Sequence, residues 1–318
     1  MNPPSLEFVD CPDAAGGHRM AYWAWGDPAS AHVVLCVHGL SRQGRDFDVL
    51  AAALCAQASN APGAAGRVRV ICPDVVGRGH SDWLADSSLY QIPTYAADML
   101  ALLVHLHGEA PIATLDWVGT SMGGLIGLVV CGQPGLPMPV TNVTADATGV
   151  PLSVRRLVLN DVGPAIEWEA IARIGSYLGQ GGPYDSLADA AEALRRISVG
   201  FGPHTPAQWL ALSAPMVKTG ADGRLHLHYD PALAVSFRSA TQALTAQGEA
   251  MLWQLYDQVC ADTLVLRGAE SDLLSSATAQ AMTQRGPKAR TVTFAGVGHA
   301  PTLVARDQLA AVTSFLLG

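Results

Sequence analysis

The sequence predicts an α/β fold in which helices cover both faces of a mostly parallel sheet. Short, continuously apolar segments at 33–37, 68–72 and 115–118 are typical of strands that are buried on both faces. Segments with the apolar spacing of helices alternate with these strands, as parallel strands require. Later in the chain this alternation stops and amphipathic helical patches take its place. We therefore predict a core formed by residues 1–164 and 259–318, with an inserted helical cap over 165–258.

The predicted elements follow one another in a regular order. The first two strands are joined by a turn-rich segment and would form an antiparallel edge of the sheet. The predicted strands are 6–9, 18–25, 33–37, 68–72, 115–118, 155–160, 263–267 and 290–294. Core helices are predicted at 47–57, 94–107, 124–130, 277–285 and 306–317, and cap helices at 167–178, 187–199, 205–214 and 231–244. Residues 132–153 are rich in Pro, Gly, Thr and Asn, which predicts a long surface excursion.

The composition narrows the classes of partner. The chain has 318 residues, of which 49% are hydrophobic, and a formal net charge of −8 without a basic block. This charge argues against nucleic acid and anionic membrane surfaces as partners. No apolar run approaches the roughly 18–20 residues that span a bilayer, and the opening residues lack the pattern of a secretory signal, so a cytoplasmic location is expected. Homo-oligomerisation is left open.

The cysteines and the predicted chemistry do not call for a metal or an organic cofactor. The six cysteines are widely scattered, and no two of them form a C-x-x-C pair. This pattern predicts buried free thiols rather than a disulfide framework or a zinc site.

The segment Gly119-Thr120-Ser121-Met122-Gly123 provides the first candidate for catalysis. It follows a predicted strand directly and opens into a small, apolar predicted helix. Strand, G-x-S-x-G and helix together are the context of a nucleophile elbow, in which a serine stands at a sharp, strained turn. Gly119 and Gly123 lack a Cβ, so the two chain segments can approach each other closely beside Ser121.

A serine nucleophile requires a base and an orienting carboxylate, and loops at the carboxyl ends of parallel strands should supply them. His299 lies in a glycine-flanked loop after the last predicted strand and is the candidate base. Asp272 follows the preceding strand and is the favoured carboxylate, with Glu270 and Asp161 as rivals. The order Ser121, Asp272, His299 is that of the triad of α/β-hydrolases.

Two backbone N–H groups are the candidate donors for an oxyanion. One is the amide of Met122, directly after the serine, and the other is the amide of Leu40 in the loop after strand 33–37. His38 in the same loop is interpreted as a structural residue rather than a second base.

Several motifs together resemble the α/β-hydrolase superfamily. They lie in the superfamily's order from about residue 33 to the end of the chain, at 38–39, 74–82, 119–124, 160–164, 267–272 and 296–299. The resemblance implies a mostly parallel eight-stranded sheet with a cap inserted after the sixth strand. It is strongest to the lidded serine esterases and carbon–carbon bond hydrolases that carry a Gly-x-Ser-Met-Gly-Gly elbow.

Four further residues are candidates for substrate binding. Arg42 and Arg45 follow the oxyanion loop and could hold a substrate carboxylate, although pairing with Asp46 or Asp48 is the alternative interpretation. Trp168 and Trp209 in the predicted cap are candidates for the wall of an apolar pocket. The chain lacks the extended glycine run of many lipases after Gly39, so a lipase for bulky esters is less favoured.

The sequence thus predicts a serine hydrolase that cleaves a small carboxylic ester or related acyl substrate through a triad and an acyl-enzyme. Three alternatives remain open. The same triad could cleave a carbon–carbon bond in a vinylogous diketone from aromatic-ring degradation. Acyl transfer or perhydrolysis is a further option, since it depends on which nucleophile enters the site. A non-catalytic ligand receptor could use the same fold.

Overall fold

A computed structural model describes residues 3–13, 16–59, 67–133, 152–238 and 241–318. The strands are β1 (Ser5–Cys11), β2 (His18–Gly26), β3 (His32–Val37), β4 (Arg69–Asp74), β5 (Thr114–Thr120), β6 (Val154–Asn160), β7 (Val217–Thr219), β8 (Leu225–Leu227), β9 (Asp262–Gly268) and β10 (Arg290–Phe294). The helices are α1 (Asp48–Ser59), α2 (Ile92–Glu109), α3 (Met122–Gly132), α4 (Trp168–Tyr177), α5 (Leu187–Ile197), α6 (Pro206–Ser213), α7 (Leu233–Arg238), α8 (Gln242–Gln258), α9 (Ser276–Met282) and α10 (Arg306–Leu317). The predicted excursion over 132–153 lies mostly outside the described residues.

Eight strands form one sheet in the order β1-β2-β4-β3-β5-β6-β9-β10. Within this sheet, the six strands β4, β3, β5, β6, β9 and β10 are parallel. By contrast, β2 pairs antiparallel with both β1 and β4. The predicted fold class and the antiparallel edge are thus confirmed. Because β5 lies near the middle of the sheet, the loop at its carboxyl end has neighbours on both sides, after β3 and after β6.

Alternate residues of the buried strands point to opposite faces of the sheet, as a period of two requires. Val33 and Leu35 belong to the core on the face covered by α2 and α3, whereas Val34 and Cys36 belong to the core on the face covered by α1 and α10. The continuous apolar run that predicted β3 therefore fills two cores at once.

The segment 165–258, which was predicted as a cap and is called the cap below, differs in detail from the prediction. It contains α4 to α8 and a short antiparallel hairpin of β7 and β8 that the sequence did not predict. The single helix predicted at 231–244 is wrong, because α7 ends at residue 238 and α8 runs from residue 242 to 258. The helix α8 packs on the core helix α3, where a Cβ at Gly132 would lie 2.3 Å from the carbonyl oxygen of Leu255. Packing on the core, rather than local spacing, therefore sets the position of α8.

None of the helices among the described residues combines the length and the apolarity needed to cross a membrane.

Candidate active site

Ser121 lies at the tip of the sharp turn between β5 and α3. Its backbone has φ 52° and ψ −115°, a region that residues other than glycine rarely adopt. A Cβ at Gly119 would lie 2.4 Å from the backbone of Gly123, and one at Gly123 would lie 1.9 Å from the carbonyl oxygen of Val37. The two glycines are therefore required sterically, and the predicted close approach beside the serine is present.

His299 connects the serine to a carboxylate. Its Nε2 lies 3.0 Å from Ser121 Oγ, and its Nδ1 lies 2.7 Å from Oδ2 of Asp161. The side chain of His299 is 11% exposed and that of Asp161 is fully buried. If Nδ1 donates its hydrogen to Asp161, Nε2 is free to accept the hydroxyl hydrogen of Ser121.

Asp161 is held in place by several donors. Its Oδ1 accepts a hydrogen bond from the Gly268 N–H at 2.8 Å, and its Oδ2 accepts one from Ser271 Oγ at 2.6 Å in addition to the contact with His299. Its backbone is left-handed, with φ 55°, directly after the end of β6. These donors hold the Asp161 carboxylate in one orientation against His299.

The expected contact between Asp272 and His299 is absent, and Asp161 occupies that place. Asp272 is 47% exposed on the side chain and forms a bidentate ion pair with Arg173 of the cap helix α4. The rival Glu270 is exposed as well. The loop after β9 turns at Ser271 and contributes its hydroxyl to Asp161, so that Asp272 points outward. The predicted position of Asp272 beside His299 is therefore wrong, and the rival Asp161 lies there instead.

The loop after β3 lies beside the serine, with the Cβ position of Gly39 3.7 Å from Ser121 Cβ. His38 fixes this loop, because its Nδ1 bonds to the Gly39 carbonyl at 2.7 Å and its Nε2 accepts the Val75 N–H at 3.0 Å. Full burial lowers the pKa of His38 to about 3, so the ring is neutral. His38 is thus a structural residue rather than a second base.

Leu40 and Met122, the two predicted oxyanion donors, both lie at the serine. Leu40 borders the same cavity as Ser121, and Met122 is the first residue of α3, where an amide has no partner within the helix. One buried side chain, Arg78, links the two residues. Its guanidinium donates from Nε to the Leu40 carbonyl at 2.8 Å, and Nη2 lies 3.4 Å from Met122 Sδ. Arg78 therefore supports both sides of the candidate oxyanion hole.

Ser121 and His299 open into a cavity of about 110 Å³ between the core loops and the cap. Its wall includes three tyrosines, several apolar side chains and two arginines. The cap residues of this wall are Arg173, Ile174, Tyr177, Gln180, Tyr184, Leu194, Ile197, Ser198, Phe201, Leu212, Met216, Leu227 and Tyr229. Their spacing follows no single helical period, so the sequence pattern does not identify them as one wall.

Of the four predicted substrate-binding residues, the two arginines form ion pairs with nearby carboxylates. Arg42 borders the cavity, but its guanidinium forms a bidentate pair with Asp46 at 2.6 and 2.7 Å. Arg45 pairs with Asp48 and stacks on Trp23, away from the cavity wall. The pairing interpretation is therefore correct for both arginines.

The two predicted cap tryptophans do not border the cavity. Trp209 lies behind Phe201, with the two rings parallel within 2° and their centroids 6.0 Å apart. Trp168 is the half-buried first residue of α4. The expectation that these rings form the pocket wall is corrected, because the larger cap aromatics pack behind the wall rather than in it.

One turn of the cap rests directly on the histidine loop. Gly298 donates its N–H to the carbonyl of Gly200 at 2.7 Å. A Cβ at Gly200 would lie 2.7 Å from the carbonyl oxygen of His299 and 2.9 Å from its nitrogen. The cap therefore supports His299 through backbone contact, which only glycine permits at this distance.

Comparison with known proteins agrees with this geometry. A family model described as "Alpha/beta hydrolase family" matches residues 34–312. The chain is 45% identical over 318 residues to the 3-hydroxybutyrate-oligomer hydrolase of Cupriavidus necator, a match that covers 99% of this chain and 98% of that protein. Among solved structures, an alpha/beta hydrolase from Novosphingobium aromaticivorans has a TM-score of 0.78 at 33% identity, and a putative hydrolase from Rickettsia typhi has 0.79 at 26%. Each of these two matches covers 99% of both chains.

Proposed function

The chain belongs to the alpha/beta hydrolase family, and from that premise we propose that it is a serine esterase that hydrolyses short oligomers of 3-hydroxybutyrate or similar hydroxyacids. The observation that carries this proposal is the hydrogen-bonded series Ser121–His299–Asp161, of which Ser121 and His299 border the cavity. The relative that is 45% identical acts on 3-hydroxybutyrate oligomers by its name, which supports the choice of substrate.

In the proposed reaction, Ser121 Oγ attacks the carbonyl carbon of an ester while His299 Nε2 takes the hydroxyl proton. Asp161 stabilises the imidazolium that forms. When the ester C–O bond breaks, His299 returns the proton to the leaving alcohol oxygen, and Ser121 retains the acyl group. A water molecule then attacks the acyl carbon by the same route and releases the acid and free Ser121.

The negative charge on the former carbonyl oxygen requires fixed donors. The Leu40 and Met122 amides are the proposed pair, with the positive end of the α3 dipole behind Met122. Since His38 and Arg78 hold the loop from within the core, these donors need little rearrangement during the reaction.

The chemical character of the cavity supports an oligoester. An oligomer of 3-hydroxybutyrate is an uncharged polyester chain with a charge only at its carboxylate end. The two arginines of the wall are already neutralised, Arg42 by Asp46 and Arg173 by Asp272. Tyrosine hydroxyls and apolar side chains remain to face the ester groups and methyl branches.

Mass spectrometry and turnover measurements with the 3-hydroxybutyrate dimer and trimer test the proposal. We expect both to be hydrolysed to the monomer, with an acyl adduct of one hydroxybutyryl unit or more on Ser121. Ser121→Ala should lose several powers of ten in kcat and form no adduct. Retained turnover in Ser121→Ala contradicts the mechanism. Turnover of a vinylogous diketone but not of the oligomers contradicts the substrate, and stoichiometric binding without any turnover supports a receptor.

We further propose a cytoplasmic location, since all six cysteines are free thiols, as is usual in a reducing compartment.

A further inference from the structure

A second cluster of reactive side chains lies at the far edge of the sheet. Cys11 ends β1, His18 begins β2, and Asp98 belongs to α2. One ligand atom from each of these residues lies within 4.8 Å of the other two. Nothing in the proposed esterase mechanism uses this cluster, since β1 is four strand spacings, or about 19 Å, from β5.

Two atoms of the cluster face each other without forming a hydrogen bond. His18 Nε2 and Asp98 Oδ2 are 3.1 Å apart, yet neither has a hydrogen-bond partner of acceptable geometry. The side chains are only 5% and 2% exposed, so solvent does not compensate for the missing bonds. Burying such atoms without partners is costly. A separation of 3.1 Å is also short enough for the two atoms to bind the same cation.

The other nitrogen of the ring is already oriented. His18 Nδ1 contacts Asp13 Oδ2 at 2.9 Å. When Nδ1 donates to this carboxylate, the lone pair of Nε2 points toward Asp98 and Cys11. Histidine ligands of metals usually donate their second nitrogen to a carboxylate in this way.

The donor set defines the ion. We propose that Cys11 Sγ, His18 Nε2 and Asp98 Oδ2 form a binding site for one Zn²⁺ ion, with Asp13 as the residue that orients the imidazole. Sulfur, imidazole nitrogen and carboxylate oxygen are the ligands that zinc prefers. At Zn–N and Zn–O distances of about 2.0–2.1 Å, the separation of His18 Nε2 and Asp98 Oδ2 corresponds to roughly 100° at the metal, close to a tetrahedral angle. A water molecule takes the fourth position.

Charge also favours a cation here. Two carboxylates, Asp13 and Asp98, lie against the two nitrogens of the ring, at 2.9 and 3.1 Å. Zinc displaces the proton of the Cys11 thiol and binds the lone pair of the neutral imidazole, and the thiolate and the two carboxylates offset the charge of the ion. The ion would tie the end of the β1–β2 hairpin to α2, and its role is therefore structural rather than catalytic.

Cobalt titration of the chelator-treated, full-length protein tests this site. We expect one equivalent of Co²⁺ to bind, with visible d–d bands and a near-ultraviolet band from the thiolate, and one equivalent of Zn²⁺ to displace it. Zinc should also raise Tm, because it binds the folded state. Cys11→Ser and Asp98→Asn should abolish both effects and leave ester turnover within about twofold.

Matched controls separate this site from adventitious binding. Cys260→Ser removes an exposed thiol, and His226→Asn disrupts an exposed His–Asp pair in the cap, which His226 forms with Asp222 at 2.9 Å. Both controls should keep the cobalt spectrum and the zinc-dependent rise in Tm. Because Cys11→Ser could disturb the hairpin, His18→Asn provides a second variant, and native-like thermal unfolding without zinc confirms that it is folded. The proposal is overturned if the thiolate band is missing, if Cys11→Ser binds as the native protein does, or if the spectrum depends on His226.

Discussion

The loops at the carboxyl edge of the sheet and the cap above them are positioned by different interactions. The loops are fixed by backbone geometry, as Gly119 and Gly123 show around Ser121, and by buried side chains such as His38. The cap contributes side chains that pack, and most of its contacts with substrate would come from irregularly spaced tyrosines and aliphatic residues. From this difference we propose two separate tasks, in which the core loops carry the chemistry and the cap selects the substrate.

The two carboxylates after β6 and β9 offer the strongest test of this division. Asp161→Asn should lower kcat by about 10⁴, because an amide favours the wrong tautomer of His299. Asp272→Asn, which only releases Arg173 at the cap, should change kcat less than about tenfold. Steady-state hydrolysis of the 3-hydroxybutyrate dimer measures both. A loss in Asp272→Asn that equals that in Asp161→Asn contradicts the assignment.

Arg78 tests whether the core loops act through preorganisation. Arg78→Gln removes the support of the Leu40 carbonyl and the contact with Met122. We expect kcat to fall by about 10- to 100-fold, less than the 10²–10³ typical for complete loss of an oxyanion donor, with KM nearly unchanged. The variant should also be less stable to urea, because buried carbonyl groups lose their partner. A change confined to KM would place Arg78 with the specificity residues of the cap instead.

A pair of cap variants tests the other half of the comparison. Phe201→Ala removes an aromatic wall of the cavity and should lower kcat/KM for the trimer by about 10- to 30-fold, mainly through KM. Trp168→Ala removes a cap tryptophan that does not border the cavity and should change kcat/KM less than threefold. Equal effects of the two variants would mean that both substitutions act by disturbing the packing of the cap, and not by changing the residues that border the cavity.

Buried histidines of both regions should make the protein sensitive to acid. Burial lowers the pKa of His38 in the core to about 3 and that of His228 in the cap to about 4, both from 6.5. Below pH 6.5 these two histidines take up protons in the unfolded chain but stay neutral in the folded protein. Their contribution to the free energy of unfolding is therefore full above pH 6.5 and is lost as the pH falls toward these values. Each histidine contributes at most about 1.4 kcal/mol to the loss in free energy of unfolding for each pH unit. The contribution of His228 is smaller, because this residue is only partly buried.

Denaturant unfolding at pH 7 and pH 5 measures how steeply the free energy of unfolding falls with pH. His228→Asn should show a slightly shallower loss of stability than the native protein, and His38→Asn a clearly shallower one from a lower starting value. A slope in His38→Asn as steep as in the native protein would assign the acid sensitivity to other groups.

The elements that the sequence predicted correctly have local causes. Continuous apolar runs such as Val33 to Val37 define buried strands, and the steric need for Gly119 and Gly123 defines the serine turn without knowledge of the rest of the chain. His299 was identifiable because it follows the last strand in a loop of glycines.

The errors concern choices that depend on tertiary contacts. Asp161 and Asp272 both follow strands and both lie between Ser121 and His299 in the chain, so chain order does not distinguish them. What decides between them is that Ser271 and Gly268 donate to Asp161, whereas Arg173 of a distant helix holds Asp272 outward. In the same way, Trp209 stacks on Phe201 of a neighbouring cap segment, a contact that the spacing of the two residues in the sequence does not encode.

The contact at Gly200 has a consequence for chimeras in which the cap of one hydrolase is joined to the core of another. Since the Gly200 carbonyl accepts the N–H of Gly298, a cap grafted from a relative would replace part of the support of His299 together with the pocket. Chimeras made by exchanging residues 165–258 should therefore lose rate as well as change selectivity, unless the donor also carries a glycine at this turn. Gly200 and Gly298 therefore need to be exchanged together, although more than ninety residues of chain separate them.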